Sequence, residues 1–488
     1  MGRLSACVYH GVSSAPVTYS YNIRGWLTGI RHPLFSQMLY YTDGPGRACY
    51  NGNISSMSWK SGNEAVERGY KFMYDGLSRL SDALYGEGPK LSVNINRFNE
   101  QVTGYDKMGN ILGLKRYGQT SATGYDVIDD LSLSYAGNRL KKVADRSGTS
   151  TFNNGFEFKD GIDLSTEYEY DENGNLTKDL NKNITAIQYN CLNLPSRVMF
   201  ANGNSISYLY DAAGRKLRTV HVLEGDSVTT DYCGNVVYEN GVPQILLTEV
   251  GYVSLTDGKY HYYLKDHQGN NRVVVAEEGT IEEVNHYYPF GGVFSSTGDA
   301  QPYKYNGKEL DRKGGLDWYD YGARMYDAVL GRWHAVDPMS EKYYGVSPYL
   351  YCANNPILLV DPNGMWPTWR GIRNGLNNAL NTTLSFTNGA VRAVTDNILL
   401  GSTSLRETGI YSSAGAYNVG QDVGDVISLF IGGAEVIRGS GEVAAGLLGS
   451  PETGGVSLAV STKGVVDVTH GSLMATSGAM KLFSRKEG

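Results

Sequence analysis

Cysteine is scarce and unpatterned. The five cysteines, Cys7, Cys49, Cys191, Cys233 and Cys352, are odd in number and none stands in a C-x-x-C spacing. That argues against a disulfide framework and against a structural zinc site; they read as isolated small apolar residues. Histidine is sparse too, with 8 residues and no H-E-x-x-H or H-x-E…C-x-x-C pattern, so no metal and no cofactor is expected. Basic charge is not in excess. A net charge of −7 gives no electrostatic footprint for nucleic acid. Charged residues make up only 19%, below the usual quarter. No run is long and apolar enough to read as a transmembrane span. The N-terminus, MGRLSACVYHGVSSAPVTYSYN, lacks the sustained apolar region of a signal peptide, and Met1 reads as an internal or truncated start.

What the chain has in quantity is tyrosine and glycine. Tyr supplies 37 residues against 12 Phe, and Gly supplies 61 of the 488. With Asn and Asp, this is the mixture of short strands joined by tight turns. Much of it follows a recurring phrase. The fullest copies are Tyr168-Glu-Tyr170-Asp171-Glu-Asn-Gly174-Asn-Leu176 and Tyr208-Leu-Tyr210-Asp211-Ala-Ala-Gly214-Arg-Lys-Leu217. Looser copies begin at Tyr74, Tyr105, Tyr135 and Tyr189. The steps from Tyr170 to Tyr189 and from Tyr189 to Tyr210 are 19 and 21 residues, a period that marks a repeat architecture. In Tyr-x-Tyr both rings fall on one face of a strand. Asp-x-x-Gly fits a four-residue turn, with Asp bonding back to the backbone and Gly last. Each unit is thus a β-hairpin with an aromatic face that only stacked neighbours can bury. Packing is the stronger reading of these tyrosines; a carbohydrate-binding surface adhesin is the weaker one.

These phrases resemble the YD repeats of bacterial RHS and teneurin-like proteins. Tyr262-Tyr-Leu-Lys-Asp266-His267-Gln-Gly269-Asn270, Tyr287-Tyr-Pro-Phe-Gly291 and Tyr303-Lys-Tyr-Asn-Gly307 follow in that family's order. So do Tyr319-Asp-Tyr-Gly322-Ala-Arg324-Met-Tyr326-Asp327, Gly331-Arg332-Trp333 and Asp337-Pro338. This is similar to the RHS repeat-associated core domain, over roughly residues 70–364. The resemblance implies a mainly β protein whose stacked hairpins form part of a large spiral β-shell around a C-terminal toxin. It implies a secreted or surface location in a bacterium and a role in interbacterial competition. The implied partners are the toxin payload, its immunity protein and a secretion apparatus. Four regions are expected: degenerate repeats over 1–69, the hairpin array over 70–300, the core end over 301–365, and a Gly/Ala-rich helical tail over 366–488.

The densest stretch is Leu316 to Gly364, closed by Asp361-Pro362-Asn363-Gly364. As a sequence, Asp-Pro-Asn-Gly is a near-ideal β-turn. Two Asp-Pro pairs, at Asp337 and Asp361, lie 24 residues apart, so a fold could juxtapose them. Two close carboxylates share a proton, one acting as acid while the other acts as base. In RHS relatives a paired Asp-Pro motif performs aspartyl-type self-cleavage. Carried onto this chain, it makes Asp337 and Asp361 the dyad, with the cut near Met365 and Trp366. Two departures stand out: the first motif reads Asp-Pro-Met-Ser, and Met follows Gly364. Arg324 reads as a support that pairs with a carboxylate, as a solvated cation, or as a cation over Trp318 or Trp333. Asp266-His267 reads as half of a catalytic dyad, as a metal ligand, or as a hairpin histidine bonded to a neighbouring carbonyl; the last is preferred.

Beyond Trp366 the tyrosine phrase stops. Val419, Val423, Val426, Ile427 and Phe430 recur at helical spacing, and Gly420 and Gly424 permit close helix packing. Membrane contact of this tail is a possible role. It has one histidine, His470, no cysteine and no nucleotide-binding or nucleophile motif. It reads as a spacer without its toxin. The alternative is an effector whose tail is itself the toxin.

Overall fold

The computed structural model describes residues 5–7, 16–148, 150, 152 and 156–365, all within one compact unit, Leu4–Gly375. The expected helical tail and Trp366 lie outside the described residues. Among the described residues the architecture is mainly antiparallel β. Eleven strands, from Ala6–Cys7 to Arg139–Asp145, form one sheet. Fourteen, from Tyr168–Tyr170 to Val293–Ser296, form a second, and four short strands from Glu309–Asp311 to Arg332–Trp333 form a third. Strand order follows chain order in every sheet. Each strand therefore pairs with the one just made, as hairpins joined by tight turns require.

The recurring turn explains this meander. Asp106 accepts the N–H groups of Met108 and Asn110 on Oδ1, both at 2.8 Å. Gly109 donates to the Asp106 carbonyl at 3.1 Å with φ at +85°. This is the geometry of a turn closed by a left-handed residue and a bulge, and the register shifts beside Tyr105 accordingly. Asp75, Asp211 and Asp266 repeat the arrangement, and Asn190 does so with its amide oxygen.

At several turns the preceding tyrosine stitches one hairpin to its predecessor. Tyr105 donates to the Leu80 carbonyl at 2.5 Å, Tyr135 to Ile111 at 2.6 Å, and Tyr189 to Leu176 at 2.7 Å. The ring packs against the core while the hydroxyl satisfies a backbone acceptor, the usual use of a buried tyrosine. The repeat tyrosines are thus buried or half-buried.

The core end lies against the hairpins. Trp318, Tyr326, Trp333 and Tyr351, each at most 1% exposed, belong to the same apolar core as Trp59, Tyr70, Leu114 and Val198. Residues 332–357 also cap the hairpin turns. Asn355 donates to the Ser78 carbonyl at 2.8 Å, Asn354 to Gly109 at 2.7 Å, Arg332 to Asn138 at 3.0 Å, and the Tyr349 hydroxyl to Gly174 at 2.7 Å. One irregular segment thereby satisfies carbonyls of four successive hairpins, groups that would be costly to bury unpaired.

Candidate functional site

The strands Trp318–Asp320 and Met325–Asp327 are joined by a turn in which Tyr321 donates to the Arg324 carbonyl. The turn aims the Arg324 side chain into the core end, where it is 1% exposed. Its nitrogens meet four oxygens. Nε donates to the Gly364 carbonyl at 2.6 Å and Nη1 to Pro348 at 3.0 Å. Nη2 reaches Asp337 Oδ2 at 2.5 Å and Asp361 Oδ2 at 3.3 Å. The guanidinium carbon stands 4.2 Å over the Trp333 ring. Two readings of Arg324, carboxylate partner and cation over an aromatic, describe this one side chain; buried as it is, it is not a solvated cation.

Asp337 and Asp361 are 2% and 1% exposed at their side chains. Each spends one oxygen on its own turn. Asp337 Oδ1 accepts from Met339 at 2.7 Å. Asp361 Oδ1 accepts from Asn363, Gly364 and Met365 at 3.2, 2.8 and 3.1 Å. Gly364 is required here: its φ is +76°, and a Cβ would sit 3.0 Å from the Arg324 backbone nitrogen. Burial pushes the Asp337 carboxyl up; Arg324 and the Tyr343 hydroxyl draw it back, and the charge of Asp361 adds to the rise. Burial also lowers Arg324 against the pull of both carboxylates.

The peptide bond between Gly364 and Met365 is therefore held at both ends, its oxygen by Arg324 and its N–H by Asp361. Met365 is 37% exposed, so this end of the site faces solvent. Three groups here had no clear signal in the sequence. Tyr343 bonds Asp337, Lys308 donates to the Pro362 carbonyl at 2.7 Å, and Cys352 is fully buried, where burial raises its thiol well above the usual range.

A buried arginine between two acids is not unique to this site. Arg116 binds Glu100 at 2.6 Å and Asp129 at 2.9 Å and also donates to the Ala328 and Val329 carbonyls. All three of those side chains are 0% exposed. The composition alone serves as a structural clasp; what sets Arg324 apart is the solvent-facing peptide beside it. His267 is bonded to a carbonyl, as in the preferred hairpin reading. Its Nε2 meets the Ile357 carbonyl at 3.0 Å, burial lowers its pKa, and Asp266 is engaged by Arg272 at 2.7 Å.

No protein-family profile matches the chain. Salivary gland surface protein 1 of Aedes aegypti is 30% identical over 223 residues, covering 40% of this chain and 6% of that protein. Toxin subunit YenC1 of Yersinia entomophaga is 28% identical over 219 residues, covering 43% of this chain and 20% of that protein. The chain thus spans a small part of either relative's length. The crystal structure of TcdB2-TccC3-TEV aligns with 72% of this chain and 21% of its own, at 16% identity and a TM-score of 0.35.

Proposed function

We propose that this chain is a wall and closing segment of an RHS-type hairpin shell that delivers a C-terminal polypeptide, and that it cuts itself after Gly364. The sequence similarity to toxin subunit YenC1 supports the delivery reading. So does the way residues 332–357 close the hairpin turns, a role suited to ending a shell. The payload, an immunity protein and a secretion apparatus are the partners this reading calls for, with the hairpin shell enclosing the payload.

The observation that carries the cleavage reading is the double grip on the Gly364–Met365 peptide beside two buried carboxylates. The chemistry follows from the contacts. Asp337, its carboxyl raised, takes a proton from a water that attacks the Gly364 carbonyl carbon. Arg324 holds the oxygen as it becomes negative. Asp361 holds the Met365 N–H in place, and the proton that Asp337 took from the water passes to the Met365 nitrogen as the carbon–nitrogen bond breaks. The products are a new carboxylate at Gly364 and a new amine at Met365.

Full-length protein and its Asp361→Asn and Asp337→Asn variants, purified in parallel, test this by N-terminal mapping. The expected result is a new N-terminus at Met365 in the wild type alone. An intact wild-type chain, or the same cut in both variants, rejects self-cleavage and leaves the aspartates as turn formers.

A further inference from the structure

A second cluster of acids lies away from Arg324. A cavity of about 240 Å³ opens between residues 157–159, the turn that follows the strand Leu176–Asp179, and residues 314–330. Its rim carries the exposed residues Lys159, Asn183, Gly314 and Gly315. Its floor carries Asp179, Asn181 and Asp327, which are 1%, 6% and 0% exposed. Tyr168, Val329 and Leu330 add apolar wall.

Each floor residue has an oxygen that the protein leaves without a hydrogen-bond partner. Asp179 Oδ1 accepts the Lys182 N–H at 3.1 Å, while Oδ2 has none. Asn181 spends its amide nitrogen on Glu167 at 3.0 Å and Tyr168 at 3.3 Å, and its Oδ1 has none. Asp327 Oδ1 caps the Val329 and Leu330 N–H groups at 2.8 and 3.2 Å, while Oδ2 has no hydrogen bond. Its nearest charged neighbour is the Lys182 ammonium at 3.4 Å. His334 Nε2 stands 3.8 Å from that oxygen, but burial lowers His334 to about 3 and keeps it neutral. Buried acceptors without donors are costly unless something fills them. Two such acceptors, Asp179 Oδ2 and Asn181 Oδ1, beside an Asp327 Oδ2 met only by the Lys182 ammonium at 3.4 Å, ask for a ligand rich in donors.

A divalent metal fits poorly. No three ligand-type side chains converge among the described residues. A planar guanidinium offers five donors in a fixed fork, is weakly hydrated, and rides on an apolar stem. We propose that this cavity binds a guanidinium group on a short alkyl stem, its head against the Asp179, Asn181 and Asp327 oxygens and its stem along Val329 and Leu330. The group could arrive on a free small molecule or on an arginine side chain of a polypeptide, and the two sources share this chemistry.

The test is calorimetric titration of the full-length chain with agmatine and, in a second arm, with the tripeptide Gly-Arg-Gly. Saturable binding is expected in at least one arm, weakened about tenfold or more in Asp179→Asn and in Asp327→Asn, as loss of a charged hydrogen-bond acceptor implies. Binding of agmatine points to a free guanidine, and binding of the tripeptide alone to a side chain. Asp179→Asn is isosteric and keeps the acceptor for Lys182, so it decides the matter if Asp327→Asn does not fold. Absence of binding in both arms, unchanged affinity in a folded Asp179→Asn, or displacement of agmatine by calcium overturns the proposal.

Discussion

The repeat turns and the two turns at the core end begin alike and differ in one atom. In Asp75, Asp106, Asp171 and Asp211 the first carboxylate oxygen caps backbone N–H groups of the turn. The second bonds the side chain four residues on: Arg79, Asn110, Asn175 and Arg215, at 2.7, 2.7, 2.9 and 2.7 Å. In Asp337 and Asp361 the first oxygen does the same work, but the fourth residue on is Glu341 or Met365, neither of which donates to a carboxylate from its side chain at neutral pH. Their second oxygens turn inward and meet on Arg324. Asp179 is a third case, with its second oxygen buried and unpartnered. The fate of that one oxygen separates a repeat turn, a chain-end clasp and a cavity floor. The teaching is that a local turn motif becomes a long-range device when its local partner is withheld.

The largest effect should come from removing the cation that the two end turns share. Arg324→Met leaves two carboxylates buried without compensation, and breaking such a group costs about 3–5 kcal/mol. Arg79→Met in a repeat turn disturbs a pair that stays partly solvated and should cost less than about 1 kcal/mol. Urea denaturation of both variants checks the contrast, and equal losses would erase the distinction between the two kinds of turn.

Asp179 sharpens it in pH. Burial pushes its carboxyl up to about 7; Lys182 pulls the other way and Asp327 adds to the push. An acid whose pKa is higher folded than unfolded binds its proton more tightly in the fold. Stability is therefore highest below the unfolded value near 4 and falls as pH rises to about 7. Asp179→Asn removes that loss and should raise stability at pH 8 by up to about 4 kcal/mol, with little change at pH 4. A pH series of melts on wild type and variant reads this directly. A variant equally stable to wild type at both pH values would place a partner on that oxygen.

Much of this was legible in residue order, and what was legible was local. The Tyr-Asp-x-x-Gly phrase carries its own strand, turn and bulge within six residues, so hairpins and their sequential pairing followed from spacing. Arg324 could be singled out as a partner of carboxylates for the same reason, since it stands in a dense motif. Its grip on the Gly364 carbonyl could not, because that bond joins two turns 40 residues apart. The cavity floor was invisible for a further reason. Asp179 ends one strand, Asn181 lies in the turn after it and Asp327 ends another strand, and only the approach of residues 314–330 makes them neighbours. The missing donor four residues after Asp361 is a signal the sequence does contain, readable once the repeat turns show what that position normally supplies.

Gly364 distinguishes the end turn from the repeats on steric grounds. Gly137, at φ +62°, has open space where a Cβ would go, whereas at Gly364, with φ +76°, the Cβ would press on the Arg324 backbone. Gly137→Ala carries only the left-handed penalty of about 1 kcal/mol. Gly364→Ala adds displacement of Arg324 and should cost about 2–3 kcal/mol, with loss of any cleavage at Met365. Thermal melts of the two alanine variants check the order.

The smallest effect tests the stitching itself, with two tyrosines from the same place in the repeat. The Tyr105 hydroxyl donates to the Leu80 carbonyl of the preceding hairpin, while the Tyr210 hydroxyl is buried with no partner. Both rings pack against the same core, so phenylalanine keeps the packing and removes only the hydroxyl. Tyr105→Phe leaves a buried carbonyl unsatisfied and should cost about 1 kcal/mol. Tyr210→Phe removes a desolvated group that gains nothing in the fold, and should be neutral or slightly stabilising. Equal costs in chemical denaturation would mean that the ring alone holds successive hairpins together; a cost at Tyr105 only would make the hydroxyl the stitch and burial of the ring its setting.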